Sequence, residues 1–225
     1  MHKLVSSWKW AGTPALCDEW CAGDVLVTEF VDGVRLDKAL ETRSDQRRND
    51  LLYTLADLYA TQILSWGFFQ PDTHPGNFLV TEDDRLVLLD FGCARDLRPE
   101  FRAAMLRVIE GFLKNDDDQL GQGLYDMGFR TRSGTPDSLG KLARQVLASV
   151  VSVGGWDPET LEAATIQGLE TMLEDPLQAV PQEFIMVGRA LLTLAGLFYT
   201  HRPNFDLTEI FLPLLGEALS NQSTN

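Results

Sequence analysis

Cysteine and histidine are scarce in this chain, with three of each among 225 residues. Cys17, Cys21 and Cys93 form neither an even set nor a CxxC pair, which excludes a disulfide framework and is typical of a reducing cytoplasm. Because zinc sites draw mainly on these two residue types, their scarcity also argues against a structural zinc site. We therefore expect a cytoplasmic protein, and peripheral contact with a membrane stays open.

Basic residues and long apolar runs are also few. The chain has 19 lysines and arginines against 33 acidic residues, which gives a formal net charge of −14. This charge disfavours nucleic acid as a partner, because the phosphate backbone would be repelled. The longest apolar run, Ala190 to Tyr199, is too short to cross a bilayer, so we expect no transmembrane segment.

Helical periodicity dominates what is present. Between Ser44 and Trp66, apolar residues recur at spacings of three and four, which predicts a core-facing helix with Ser44 as its N-cap. Strand patterns are short, and the first covers Asp24 to Phe30. An α+β fold that is mainly helical is therefore expected. Further helix starts are predicted at Pro99, Thr135-Pro136, Asp157-Pro158 and Asp206.

Residues 67–97 hold several chemically informative residues in a fixed order. Asp72 is followed five positions later by Asn77, and an Asp-Phe-Gly tripeptide begins at Asp90. Each part alone is common, because Asp and Asn are ordinary turn residues. Their occurrence together, with this spacing, favours a functional site over coincidence.

A β-hairpin is predicted between these residues. The apolar runs 78–80 and 86–89 flank the polar residues 81–85, which is the pattern of two strands and a tight turn. Because a hairpin brings its two ends together, we expect Asp72, Asn77 and Asp90 to converge at its mouth. The intervening His74-Pro75-Gly76 predicts a stiff turn, with Gly76 free to take a positive φ.

Oxygen-bearing side chains in this arrangement suit magnesium chemistry. Mg²⁺ takes one or two carboxylates and completes its shell with water and substrate phosphates, and Asn77 and Asp90 fit that ligand role. A further acid that the metal does not need can orient a hydroxyl and accept its proton, as Asp72 would do. The sequence therefore predicts Asp72 as the catalytic residue and Asn77 with Asp90 as the metal ligands.

These residues resemble a known family. The stretch from Phe68 to Asn77, FFQPDTHPGN, followed by Leu89-Asp90-Phe91-Gly92, resembles the catalytic core of the UbiB-type atypical kinases, the AarF and ubiquinone-biosynthesis group. Three further segments are similar to that family and extend the resemblance over nearly the whole chain from Asp24. They are residues 25–33, residues 98–102, and residues 187–191 together with 204–206.

The resemblance implies a protein-kinase-like C-lobe with a catalytic-loop hairpin and a remnant N-lobe strand. Residues 1–33 would hold that strand and the hinge, 34–219 the C-lobe, and 220–225 a polar tail. It implies Mg²⁺ and ATP as cofactors, with the backbone of Glu29 and Val31 against adenine. It also connects the chain with isoprenoid-quinone metabolism, so an isoprenoid lipid or quinone-pathway proteins are expected partners.

The sequence departs from the family in the residues that would bind the nucleotide from the N-lobe. Lys3 and Lys9 are the only lysines upstream of the hinge, and neither lies in an apolar strand of the kinase kind. The Ala-rich nucleotide loop and the Lys-x-Gly-Gln segment are not found, and Gln70 replaces the usual histidine. We therefore expect a truncated kinase or ATPase that is inactive alone and needs a separate N-lobe partner.

Two other functions are compatible with the same residues. The first is a non-catalytic pseudokinase module that binds a lipid or a protein, which the missing lysine and loop favour. The second is a small-molecule kinase of the aminoglycoside-phosphotransferase type, which also resembles the His74 to Asn77 motif followed by an acid. Gln70 and the helices after Pro99 weaken this last alternative.

Overall fold

A computed structural model describes residues 2–5, 8–152 and 175–222 of the chain. The chain divides into two compact units. The first comprises Met1–Asp96 and Leu192–Leu214, and the second comprises Leu97–Leu191 and Leu215–Asn225. The helix start predicted at Asp157-Pro158 lies outside the described residues. The fold is α+β and mainly helical, as predicted.

The sheet of the first unit has four short strands. Its order is β1-β5-β4-β2, in which β1 pairs parallel with β5, and β4 pairs antiparallel with β5 and with β2. Two further strands, β3 and β6, pair antiparallel with each other. The strands are β1 (Ala11–Gly12), β2 (Val34–Arg35), β3 (Phe68–Phe69), β4 (Phe78–Val80), β5 (Leu86–Leu88) and β6 (Arg95–Asp96).

The hairpin predicted between Asn77 and Asp90 is confirmed by β4 and β5, in which Phe78 pairs with Leu88 and Val80 with Leu86. At its turn Asp84 takes φ 61°, and its carboxylate lies 3.1 Å from Nε of Arg47. Nε of Arg43 lies 2.9 Å from the same carboxylate, outside the angles of a hydrogen bond, so this contact is an ion pair. Two arginines thus anchor the turn that sets the hairpin register.

The prediction of a strand over Asp24 to Phe30 is wrong. The segment forms only isolated bridges, Ala22 with Val25 and Leu16 with Thr28, and the backbone around Thr28 is held by two hydrogen bonds to residues 15–17. Apart from the half-buried Val27, its apolar side chains are exposed, with Leu26 at 71% and Phe30 at 90%. An apolar pattern favours a strand when one face of that strand is buried. No described part of the first unit covers the apolar side chains of this segment, so the strand does not form.

Two helices support the sheet in the first unit. Helix α2 (Leu36–Thr42) was not predicted, whereas α3 (Asp45–Thr61) begins after the predicted N-cap, Ser44. A π-helical turn, Gln62–Trp66, continues α3 and ends at Gly67, which has φ 66°. The predicted face is buried through Leu52, Leu55 and Tyr59 of α3 and Ile63 of the π-helical turn. This helix therefore forms the core and leads the chain directly into β3. The described N-terminal segment also contains α1 (His2–Val5).

The second unit is built from helices. Helix α4 starts at the predicted proline, and α5 ends at Gly128 in the left-handed conformation, with φ 112°. Asp206, which belongs to the first unit, accepts a hydrogen bond of 2.8 Å from the backbone N–H of Thr208, which confirms it as an N-cap. From Leu97 onward the elements are α4 (Pro99–Lys114), α5 (Asp117–Met127), β7 (Arg130–Thr131), α6 (Pro136–Ser152), β8 (Leu177–Ala179), α7 (Gln182–His201) and α8 (Leu207–Gln222), of which α7 and α8 contain residues of both units.

Helix α7 bears on membrane association. Among the described residues it is the one helix that is long and apolar enough to cross a membrane, judged by length and composition only. Core helices of soluble proteins pass the same test, so this is weak evidence. The absence of a transmembrane segment therefore stays a prediction.

Arg144 of α6 connects three helices in the second unit. Its guanidinium donates to the carbonyls of Gly111 and Phe112 at the end of α4, at 3.2 and 2.9 Å. It also bonds Asp117 at the start of α5 at 2.7 Å, and it lies 5.2 Å from the Phe112 ring. The same two carbonyls also accept backbone N–H bonds from Asn115 and Asp116 just past the helix, so Arg144 adds side-chain bonds to an end of α4 that the backbone already caps.

Replacing Arg144 by methionine is expected to lower the free energy of unfolding by about 2–3 kcal/mol, because charge-assisted bonds at a one-fifth exposed side chain are lost. Urea denaturation followed by far-UV circular dichroism measures the change. Arg107→Met is the matched control, since Arg107 makes one pair, 2.8 Å from Asp126, with a 40% exposed side chain. That variant should lose less than about 1 kcal/mol. Equal losses in both variants would contradict the bridging role.

Candidate functional site

The loop between β3 and β4 carries Asp72 and Asn77. Its Pro75–Asn77 segment is a 3-10 turn, and the side-chain amide of Asn77 donates to the carbonyl of Asp72 at 3.3 Å. The backbone carbonyl of Asn77 accepts from Leu89, the residue before Asp90, at 2.9 Å. The structure therefore brings together the backbones of the three predicted site residues at the mouth of the hairpin.

Gln70 joins the two halves of this site. Its side-chain carbonyl accepts a hydrogen bond from the backbone N–H of Asp72 at 3.2 Å, and its side-chain amide donates to the backbone carbonyl of Asp90. Only 1% of Gln70 is exposed. A buried amide that satisfies a donor on one loop and an acceptor on the other keeps both loops in a fixed relation.

Gln62, from the π-helical turn, holds Gln70 in place. Its side-chain carbonyl accepts from the Gln70 backbone N–H at 2.9 Å, and the residue is 0% exposed. The sequence analysis did not identify Gln62, because a polar residue inside an apolar helical pattern carries no signal of its own. Gln70 did carry a signal, since the resemblance implied a histidine at its position.

Tyr59 lies near the charge of Asp72. Burial raises the pKa of the Tyr59 phenol, and the negative charge of Asp72 raises it further. Its hydroxyl has no hydrogen-bond partner among the described residues, and its ring packs edge-on against Phe78 at 6.4 Å between centroids. Tyr59 therefore stays protonated and presents a neutral donor in the surroundings of the acid.

The prediction that Gly76 takes a positive φ is wrong, since its backbone follows the 3-10 turn instead. Glycine is needed here for space. A Cβ at this position would lie 2.9 Å from Nδ1 of His74, and that nitrogen accepts a hydrogen bond from the Gly76 N–H at 3.0 Å. The turn is stiff as expected, but contact with the histidine ring is the reason.

The side chains that remain free suit a hard cation. The amide nitrogen of Asn77 is used by Asp72, which leaves its carbonyl oxygen for a ligand. One carboxylate oxygen of Asp90 accepts from the Gly92 N–H at 2.7 Å, and Asp90 is exposed. Oxygen donors of this kind are what Mg²⁺ prefers.

A different type of metal site is not found in the described part of the chain. No group of three or more His, Cys, Asp or Glu side chains there could hold a metal ion. A site of one amide and one carboxylate oxygen must therefore complete its coordination with water and phosphate oxygens, which is the usual state of Mg²⁺ at a nucleotide.

The residues predicted to contact adenine lie on the segment after the isolated bridges. Glu29 is exposed, its N–H donates to the Ala15 carbonyl at 2.8 Å, and its carboxylate accepts from the Ala15 N–H at 3.2 Å. Val31 is half-buried. Because the N–H of Glu29 is already bonded, an adenine contact at this residue would have to use its carbonyl.

The fold is similar to that of a solved structure. A solved structure of Rv3197 from Mycobacterium tuberculosis in complex with erythromycin superposes with a TM-score of 0.62, over 92% of this chain and 53% of that chain. The two sequences are 17% identical, so the likeness concerns the fold alone.

The ABC1 atypical kinase-like domain family matches residues 1–124, more than half of the chain. The chain therefore belongs to this family, and the resemblance to the UbiB and AarF group is confirmed. ACTIVITY OF BC1 COMPLEX KINASE 7, a chloroplastic protein of Arabidopsis thaliana, is 28% identical over 212 residues. A chloroplastic aarF domain-containing protein kinase of the same plant is 27% identical over 225 residues.

The chain spans 30% of the length of the first of these curated relatives and 31% of the second. The alignments cover 93% and 99% of this chain. The activity, substrates and partners of the whole relatives are therefore only proposed for this chain.

Proposed function

We propose that this chain is the C-lobe of a UbiB-type kinase or ATPase that binds Mg²⁺ and ATP. The observation that carries the proposal is the single hydrogen-bonded unit formed by the Asp72 loop and the Asp90 loop through Gln70 and Asn77. In a kinase site these two loops must be held together, because the acid and the metal act on the same phosphoryl group.

Each site residue then has a defined task. Asn77 and Asp90 would hold the metal through their free oxygens, and bound Mg²⁺ would neutralise charge on the phosphate groups. Asp72 would orient the acceptor hydroxyl and take its proton as the new oxygen–phosphorus bond forms, while the bond from the γ-phosphorus to the bridging oxygen breaks and ADP leaves. With water as the acceptor the same geometry gives hydrolysis, so transfer and ATPase activity share these residues.

The surroundings of this site follow from family membership. We propose an acceptor or regulator from isoprenoid-quinone metabolism, either an isoprenoid lipid or a protein of that pathway, and a location in the cytoplasm or at a membrane surface. We also propose an N-lobe partner that covers the apolar surface around the hinge. Seven large side chains are exposed there: Trp10, Leu16, Trp20, Val25, Leu26, Phe30 and Val34. Exposed apolar surface of this kind is typical of an interface.

The first test is Mg-ATP binding by calorimetry and thermal shift, with and without an N-lobe segment from a curated relative. We expect binding by the unaltered chain and a loss of about tenfold or more in affinity for Asp90→Ala, because a metal ligand is removed. Glu82→Ala is the control, since Glu82 is an exposed acid at the opposite end of the hairpin. The absence of nucleotide binding under both conditions would overturn the proposal.

A non-catalytic binding module is the second candidate, and one contact favours it. The ammonium of Lys9, one of two lysines upstream of the hinge, lies 4.3 Å from the centroid of the Trp10 ring. It is thus engaged in a cation–π contact with its neighbour, and among the described residues no hydrogen bond or ion pair joins it to the catalytic loop. If the chain is a non-catalytic binding module, Asp72→Asn should leave biological activity intact. A null phenotype for that variant would rule out this second candidate.

A further inference from the structure

Arg35 lies beside the catalytic-loop turn. It is the last residue of β2 and pairs with Leu79 of β4, so the sheet fixes its backbone next to the loop. One terminal nitrogen of its guanidinium, Nη2, lies 3.7 Å from the position that a Cβ on Gly76 would occupy. Arg35, which lies outside the motif of residues 67–97, thus places a positive charge beside the His74–Asn77 turn.

The position of Arg35 suits a ligand held by the metal residues. Gly76 directly precedes Asn77, and consecutive Cα atoms are 3.8 Å apart, so Nη2 of Arg35 lies within about 9 Å of the Asn77 Cα. A phosphate chain attached to a metal on Asn77 and Asp90 would extend over such a distance. The planar guanidinium matches phosphate oxygens with two parallel hydrogen bonds.

Arg35 is also available for a ligand. Its side chain is 56% exposed, and among the described residues its ion-pair partner is Asp37, at 3.0 Å. Exposed pairs of this kind contribute little, because water screens them and two side chains must be ordered. A polyphosphate with several negative charges would compete successfully with a single carboxylate.

We propose that Arg35 holds the phosphate groups of the bound nucleotide. The inference rests on the proposed function and specifies the cation that this site uses. A chain with net charge −14 needs such a group, because Asp72 and Asp90 alone would repel the phosphates.

The test compares Arg35→Gln with Arg47→Gln. The two arginines are matched, since the Arg47 side chain is 55% exposed and its ion pair with Asp84 is 3.1 Å long, but Arg47 lies at the opposite end of the hairpin. Calorimetry measures the binding of Mg-ATP, adenosine and magnesium tripolyphosphate. We expect Arg35→Gln to weaken Mg-ATP and tripolyphosphate about tenfold and leave adenosine unchanged. Arg47→Gln should change none of them, and Asp37→Asn should tighten the two phosphate ligands.

The three ligands separate the possible failures. If the unaltered chain binds Mg-ATP and Arg35→Gln binds it equally well, the role of Arg35 is overturned while the proposed function stands. If tripolyphosphate binds through Arg35 but ATP does not bind, the nucleotide function fails and the phosphate site stands. Equal weakening of adenosine and ATP would show a merely structural role, and no binding of any ligand would overturn both proposals.

Discussion

Replacing Gly140 of α6 by alanine is expected to destabilise the second unit by about 3 kcal/mol or more. A Cβ at Gly140 would lie 2.2 Å from the carbonyl oxygen of Asp117, and one at Gly121 would lie 2.3 Å from that of Pro136. These obstacles are backbone atoms, so relief requires helices α5 and α6 to separate. Far-UV circular dichroism during urea denaturation measures the loss, and Gly121→Ala should behave alike.

Gly188→Ala is the matched control for this prediction. Gly188 lies in α7 within the same unit, and a Cβ there would meet nothing within 4 Å. Because alanine has the higher helix propensity, we expect a gain of up to about 1 kcal/mol. If Gly140→Ala were as stable as Gly188→Ala, the close approach of α5 and α6 would be refuted.

Replacing Gln70 by leucine is expected to cost about 2–3 kcal/mol and to weaken Mg-ATP binding. Leucine has a similar size, but it leaves the Asp72 N–H and the Asp90 carbonyl, whose hydrogen bonds to the buried Gln70 side chain are part-buried, without their partner. The two loops would lose their common anchor. Hydrogen exchange at the Asp72 amide should speed up, and calorimetry reports the nucleotide affinity.

Gln70→His provides the control for that loss. Neutral histidine has one donor and one acceptor, so it can serve Asp90 and Asp72 as glutamine does. We expect it to retain most of the stability and affinity. If leucine and histidine behaved identically, the two hydrogen bonds would have no part in holding the site.

Some of the fold followed from the sequence because the signals were local. The helix after Ser44, the helix starting at Pro99 and the hairpin between Asn77 and Asp90 each combine a periodic apolar pattern with a start or turn residue. Asp72, Asn77 and Asp90 had to converge, since they flank the same hairpin. Their proposed roles as acid and metal ligands stay predictions.

Other features could not be predicted, because they depend on contacts between distant segments. The strand expected over Asp24 to Phe30 is not formed, since an apolar run becomes a strand only when a partner is available on its edge and face. Gly76 is required by the His74 ring and not by its own backbone conformation. The short strands β1 and β2 have two residues each, too few for any periodic pattern.

The sequence by itself determined the family and the three residues at the mouth of the hairpin, because short-range order along the chain encodes them. Only the tertiary structure showed that Gln62 and Gln70 join the two loops and that Arg35 faces the Gly76 turn. The reason is physical: a buried hydrogen bond or a guanidinium beside a turn is defined by the path of the folded chain, and residues 8, 20 or 41 positions apart carry no mutual signal in the sequence.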